Sequence, residues 1–140
     1  MILMLTIQKA TDVRKEFSSF IDTVVHKRPI VVQRNRDLIA ALSLNHLSAL
    51  LEPYRFTMEY EQEDDGSYSG SLLGFDIAAN AKSQEELKVR LAQDLIEYAH
   101  EYEEEFVLYS LTPNRRSHFP YIYRVLIQPD IANVVSLIDA

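Results

Sequence analysis

The chain has 140 residues, 47% of them hydrophobic and 25% charged, with a net charge of −7. That is the composition of one globular domain or two small ones, not of a disordered chain. With no cysteine, a disulfide framework and thiolate metal sites are excluded. The opening MILMLTI is too short for a signal peptide and no basic residue precedes it. No apolar run approaches the roughly 18–20 residues that cross a bilayer, so a cytoplasmic protein that does not engage a membrane is expected.

Charge is divided unevenly. Residues 1–52 hold seven Lys/Arg against five Asp/Glu, a net +2, and residues 53–140 hold seven against sixteen, a net −9. This asymmetry points to two modules with different partners, divided as 1–53 and 54–140, against the plainer alternative of solvated surface.

In chain order, Met4 to Ile7 has the apolar, β-branched character of a short strand. Thr11 is suited to cap a helix, with Asp12 in the first turn where the helix dipole favours an anion. Val13, Phe17, Phe20, Ile21, Val24 and Val25 recur at helical spacing and predict one buried face, closed by Lys27, Arg28 and Pro29. Ile30 to Val32 predict a strand, Asn35-Arg36-Asp37 a turn, and Leu38 to Leu42 the returning strand. Asn45 is expected to cap a short helix from His46 to Glu52. About fifty residues bury too little to stand alone, so this module is expected to dimerise.

The second half opens with RFTMEYEQE, residues 55–63, whose alternating apolar and polar side chains predict a half-exposed strand. Asp64-Asp65-Gly66-Ser67 is a turn, Tyr68 to Leu73 returns, Gly74 breaks, and Phe75 to Ala81 supplies a third strand. Ser83 and Glu86 form a capping box. The helix that follows puts Leu87, Leu91, Leu95, Tyr98, Tyr102 and Phe106 on one stripe, with Glu97, Glu101, Glu103, Glu104 and Glu105 on an acidic outer face. In the tail, Thr112-Pro113 opens a helix that Pro120 interrupts, and Tyr121 to Gln128 and Ile131 to Ile138 predict two short helices around Pro129.

The cations of the first module carry its chemistry. Lys9, Thr11, Arg14 and Lys15 gather at the start of the helix, and Arg34 and Arg36 flank the hairpin tip. A helix N-terminus beside arginine suits phosphate, and arginine also reads guanine in the major groove.

Residues 5–52 resemble the Phd/YefM antitoxins. The likeness lies in Thr6-Ile7, Thr11-Asp12-Val13-Arg14, Phe17, Pro29-Ile30-Val31-Val32-Gln33-Arg34 and Ala40-Ala41-Leu42-Ser43. It implies an operator-binding dimer in which Arg14 and Arg34 contact DNA. Residues 54–106 resemble the HicB-type antitoxin domain, a degenerate RNase H-like unit. That likeness lies in the Asp65-Gly66-Ser67-Tyr68 turn, the meander, and the helix opened by Ser83, Glu85, Glu86 and Leu87. It implies a toxin-neutralising or oligomerising module without catalysis.

Catalytic alternatives find less support. Glu59, Glu61, Asp64 and Asp65 are the only grouping for a metal-dependent nuclease, and alternating strand carboxylates read better as a wet sheet face. His26, His46, His100 and His118 lack metal-ligand spacing, and Ser18-Ser19 lacks a nucleophile elbow. Tyr121 and Tyr123 with Arg115, Arg116 and Arg124 form a basic-aromatic cluster, expected to bridge to the acidic face at 97–105.

The expected fold is α+β. A small β-α-β-β-α dimerisation and DNA-binding module precedes an antiparallel β-meander with a long helix and a helical C-terminal extension. The expected function is that of a type II antitoxin and autorepressor, not an enzyme and without a cofactor. Its expected partners are operator DNA, a basic toxin and a second copy of itself or a higher homo-oligomer. The alternative is an interaction or oligomerisation module that keeps an antitoxin-like fold without binding DNA.

Overall fold

The computed structural model describes residues 3–140. They form two compact units that divide between Leu50 and Leu51, and the fold is α+β in both.

In the first unit β1 (Ile7–Lys9) leads directly into α1 (Ala10–Lys15) and α2 (Phe17–His26). Strands β2 (Ile30–Arg34) and β3 (Asp37–Ala41) form a hairpin, and α3 (Leu44–Leu51) follows. The sheet order is β1-β2-β3, with β1 parallel and β3 antiparallel to β2. Parallel pairing of β1 with β2 needs a crossover, and α1 and α2 supply it.

Several local expectations are corrected here. The strand expected over Met4–Ile7 starts only at Ile7 and extends to Lys9, because its ladder partner is β2 and the register pairs Ile7 with Val31 and Lys9 with Gln33. Thr11 caps nothing: α1 begins at Ala10 behind Lys9, so Thr11 already lies inside the first turn. The single helix expected through Val25 is two, parted at Glu16 (φ −127°, ψ 54°). Its apolar face is not buried in this chain. Val24 is buried, but Phe17, Ile21 and Val25 are exposed by 58, 41 and 46%. Ser43, not Asn45, caps α3, its hydroxyl accepting from the His46 N–H at 3.2 Å.

The second unit is built on β4 (Phe56–Gln62), β5 (Tyr68–Leu72) and β6 (Ala78–Ala81), an antiparallel meander. The turn from β4 to β5 forms because Gly66 takes φ 87° and Asp65 accepts from the Ser67 N–H and hydroxyl at 2.9 and 2.6 Å. The third strand is shorter than expected. Gly74, at φ 85°, turns the chain, and Phe75 stacks on the His118 ring at 4.3 Å instead of continuing a strand.

α4 (Gln84–Glu104) packs across this sheet. Ser83 accepts from the Glu86 N–H at 3.1 Å, as a capping residue should. Leu87, Leu91, Leu95, Ala99 and Tyr102 are fully buried on one stripe against Phe56, Met58 and Leu72. Gly70 on β5 leaves room for α4 and β4: a Cβ there would lie 2.8 Å from Leu87 Cδ2 and 2.9 Å from the Glu59 carbonyl oxygen.

α4 ends at Glu105 (φ −106°, ψ 37°), so Phe106 opens a separate helix, α5 (Phe106–Leu111). α6 (Pro113–Arg116), α7 (Phe119–Leu126) and α8 (Ile131–Val135) follow. The helix opened at Pro113 already ends at Arg116, and Pro120 sits instead in the first turn of α7, where a missing N–H costs nothing. The helix expected to reach Ile138 stops at Val135, and the chain finishes as β7 (Ile138–Asp139), parallel to β4 at the sheet edge. The Phe56 N–H donates to the Leu137 carbonyl at 2.9 Å, and Arg55 grips Asp139 with two bonds of 2.8 Å. The Arg55 bonds hold the Asp139 carboxyl below its ordinary range.

Candidate nucleic-acid interface

Strand pairing assembles the basic site of the first unit. Lys9 ends β1 and Arg34 ends β2. Because the strands are parallel and Lys9 lies opposite Gln33, the two cations emerge at the same end of the sheet. Asn35 takes φ 56°, the left-handed conformation that Asn tolerates, and closes the hairpin so that Arg34 faces Asp37. Gln33 donates its side-chain N–H to the Asn35 carbonyl at 3.1 Å and steadies this tip.

A shallow cavity of about 360 Å³ lies here, lined by Lys9, Ala10, Thr11, Gln33, Arg34 and Asn35. Of the six residues expected at the site, the structure brings Lys9, Thr11 and Arg34 around it. Arg36 stands one residue further along the hairpin tip. Arg14 and Lys15 lie in the last turn of α1, not the first, so they do not share the helix's N-terminal amides. Gln33 and Asn35 were not expected at the site, and only the β1–β2 register reveals them.

These cations have little else to hold them. Arg34 approaches Asp37 at 3.6 Å, but both side chains are more than two-thirds exposed, and an exposed pair of that kind contributes little. Lys9, Arg14, Lys15 and Arg36 are exposed and have no side-chain hydrogen bond or ion pair among the described residues. Their charges are therefore open to a polyanion.

The second unit has a cavity of different character, about 500 Å³, whose lining includes Asp76, Asp94, Glu97, Glu101, Arg115 and His118. His118 spans it, 3.0 Å from the Gly74 carbonyl and 2.8 Å from the Tyr98 hydroxyl. A carbonyl only accepts, so Nε2 carries the proton and Nδ1 accepts from tyrosine. Burial pushes the His118 pKa down against the pull of that carbonyl. Burial likewise pushes Tyr98 up.

Arg115 lies over the Tyr109 and Tyr98 rings at 4.5 and 5.4 Å, a cation–π arrangement. The expected bridge to the acidic face is not what forms: Arg115 instead meets the ring faces of Tyr98 on α4 and Tyr109 on α5. No ion pair joins Arg115, Arg116 or Arg124 to Glu97–Glu105 among the described residues. The described residues also contain no group of carboxylates or histidines arranged to hold a metal ion. None of their helices is long and apolar enough to cross a membrane.

The chain matches, over residues 4–140, the PHD-like family described as "antitoxin of toxin-antitoxin, RelE / RelB, TA system". It is also similar to a crystal structure at 1.80 Å from Syntrophomonas wolfei subsp. wolfei, described as "an antitoxin part of a putative toxin/antitoxin system". The two share 39% identity over 97% of this chain and 98% of that one, with a TM-score of 0.93. No curated protein matches it. The expectation of an antitoxin holds at the level of the family. With nearly its whole length matched, the chain belongs to this PHD-like family of toxin–antitoxin antitoxins.

Proposed function

We propose that this antitoxin binds operator DNA as a dimer through its first unit, in the manner of Phd/YefM, and so represses its own synthesis. The observation that carries the reading is the convergence of Lys9 and Arg34 on one cavity, in a unit whose other cations Arg14, Lys15 and Arg36 are exposed and form no ion pair among the described residues. Phosphates would neutralise this edge, and Arg14 and Arg34 would position the dimer or read bases. The exposed Phe17, Ile21 and Val25 on α2 support dimerisation, since three such side chains on one short helix need a cover.

The second unit is read as a HicB-like module that neutralises the toxin by direct contact. The net charge of −9 over residues 53–140 favours a basic toxin. The action is stoichiometric, not catalytic, and needs no cofactor.

Fluorescence anisotropy of a duplex taken from immediately upstream of the protein's own reading frame tests the DNA reading. Tight binding is expected, falling steeply between 50 and 200 mM salt as counterions are released. Arg14→Ala and Arg34→Ala should each weaken it by about 1–3 kcal/mol if they read bases. Salt-independent binding, or full affinity in the double variant, would sink this reading. A well-folded dimer that ignores the duplex would favour an interaction module without DNA.

A further inference from the structure

α5 leaves Val107, Leu108 and Leu111 exposed by 75, 58 and 71%. At 3.6 residues per turn these three fall within an arc of about 100°. Phe106 and Tyr109 turn the other way, onto the Tyr102 ring at 6.1 and 5.6 Å between centroids. Phe119, 47% exposed, packs on Phe106 at 5.6 Å between ring centroids. Single exposed leucines are ordinary on any surface, but three on one face of a six-residue helix form a patch.

The residues just before the patch break a second rule. Glu101, Glu103, Glu104 and Glu105 crowd the C-terminal end of α4, where outward-pointing carbonyls already concentrate negative charge and cations are favoured. No basic residue stands in that last turn, and no Lys or Arg pairs with these four among the described residues. Among the described residues their side chains take part in one hydrogen bond, from the Tyr109 hydroxyl to Glu101 at 2.8 Å. In the free chain the acids oppose the helix dipole and the leucines meet water. A partner with apolar side chains ringed by Lys and Arg relieves both.

We infer that α5 and the acidic end of α4 together form the docking surface for the toxin, and that the toxin presents such a basic-rimmed apolar patch. The inference rests on the antitoxin reading above, which supplies the partner. Charge separates the toxin from a second copy, because a second copy brings the same run of glutamates to the contact.

The test is titration calorimetry of the full chain with the purified product of the reading frame adjoining its own, alongside sedimentation velocity of the chain alone. Leu108→Glu/Leu111→Glu, at positions already in water, should keep the far-UV spectrum and lose affinity by about 30-fold or more, as for a central contact. Glu103→Lys/Glu104→Lys should also weaken the complex, yet raise the Tm of the free chain by about 1–4 °C by relieving the dipole. Wild-type affinity in both variants overturns the docking surface while leaving the antitoxin reading intact. If the wild type itself does not bind, the antitoxin reading fails and takes the surface with it. Self-association that Leu108→Glu/Leu111→Glu abolishes would give the patch to a second copy and overturn the inference.

Discussion

His118 shows how much one side chain can tie together. It stacks on Phe75, accepts from Tyr98 on α4 and donates to the Gly74 carbonyl at the turn before β6, all in its neutral form. Its folded pKa is lowered by burial, so the unfolded chain takes up a proton more readily than the folded one. The stability it contributes is therefore fully present above the ordinary histidine value near pH 6.5 and is lost as pH falls through the lowered folded value. Urea midpoints measured from pH 7.5 down to 5 should decline in the wild type and decline less in His118→Asn. Parallel declines in the two proteins would remove His118 from the account. Nothing in the sequence marked this residue, because its three partners come from separate elements and only the fold brings them together. Arg14 and Lys15 illustrate the opposite failure. Their chemistry was legible, but their position was not: moving the start of α1 back by two residues and ending it at Lys15 carried them from the first turn to the last.

At the scale of elements, legibility follows how local the cause is. The hairpin from β2 to β3, the turn at Asp65-Gly66 and the start of α4 at Ser83 were readable because turn and cap chemistry lie within a few residues. β7 was not, since Ile138-Asp139 becomes a strand through Phe56 and Arg55, more than eighty residues away. The breaks at Glu16 and Glu105 also escaped. Neither has Gly or Pro beside it, and the apolar spacing runs through both. Gly70 gives the packing of β5 against α4 a direct test. Its backbone is not in the left-handed region, so the constraint is space alone. Gly70→Ala must move either Leu87 or the β4 backbone at Glu59, and should lower the unfolding free energy by about 1–3 kcal/mol with an unchanged urea m-value. An unaltered midpoint would mean that α4 does not sit as tightly on β5 as described.

For the whole molecule, the two units differ in how completely they bury themselves. The second has a continuous core from Phe56 to Ile138, whereas up to Leu50 only Val24, Ile30 and Val31 are buried among the described residues. A unit so poor in core and so rich in exposed apolar side chains favours association. This supports the proposed dimer of the first unit, whereas the second unit is folded around its own core. The charge division was readable from the sequence, as was the antitoxin character. The surfaces themselves were not, because exposure of α2 and α5 depends on what the rest of each unit leaves uncovered. With DNA proposed for the first unit and the toxin for the second, one chain should hold both at once. Sedimentation velocity of the full chain with the upstream duplex and the product of the adjoining reading frame measures this directly. The expected result is a single faster species containing all three. Separate boundaries, with duplex and toxin never travelling together on this protein, would contradict it.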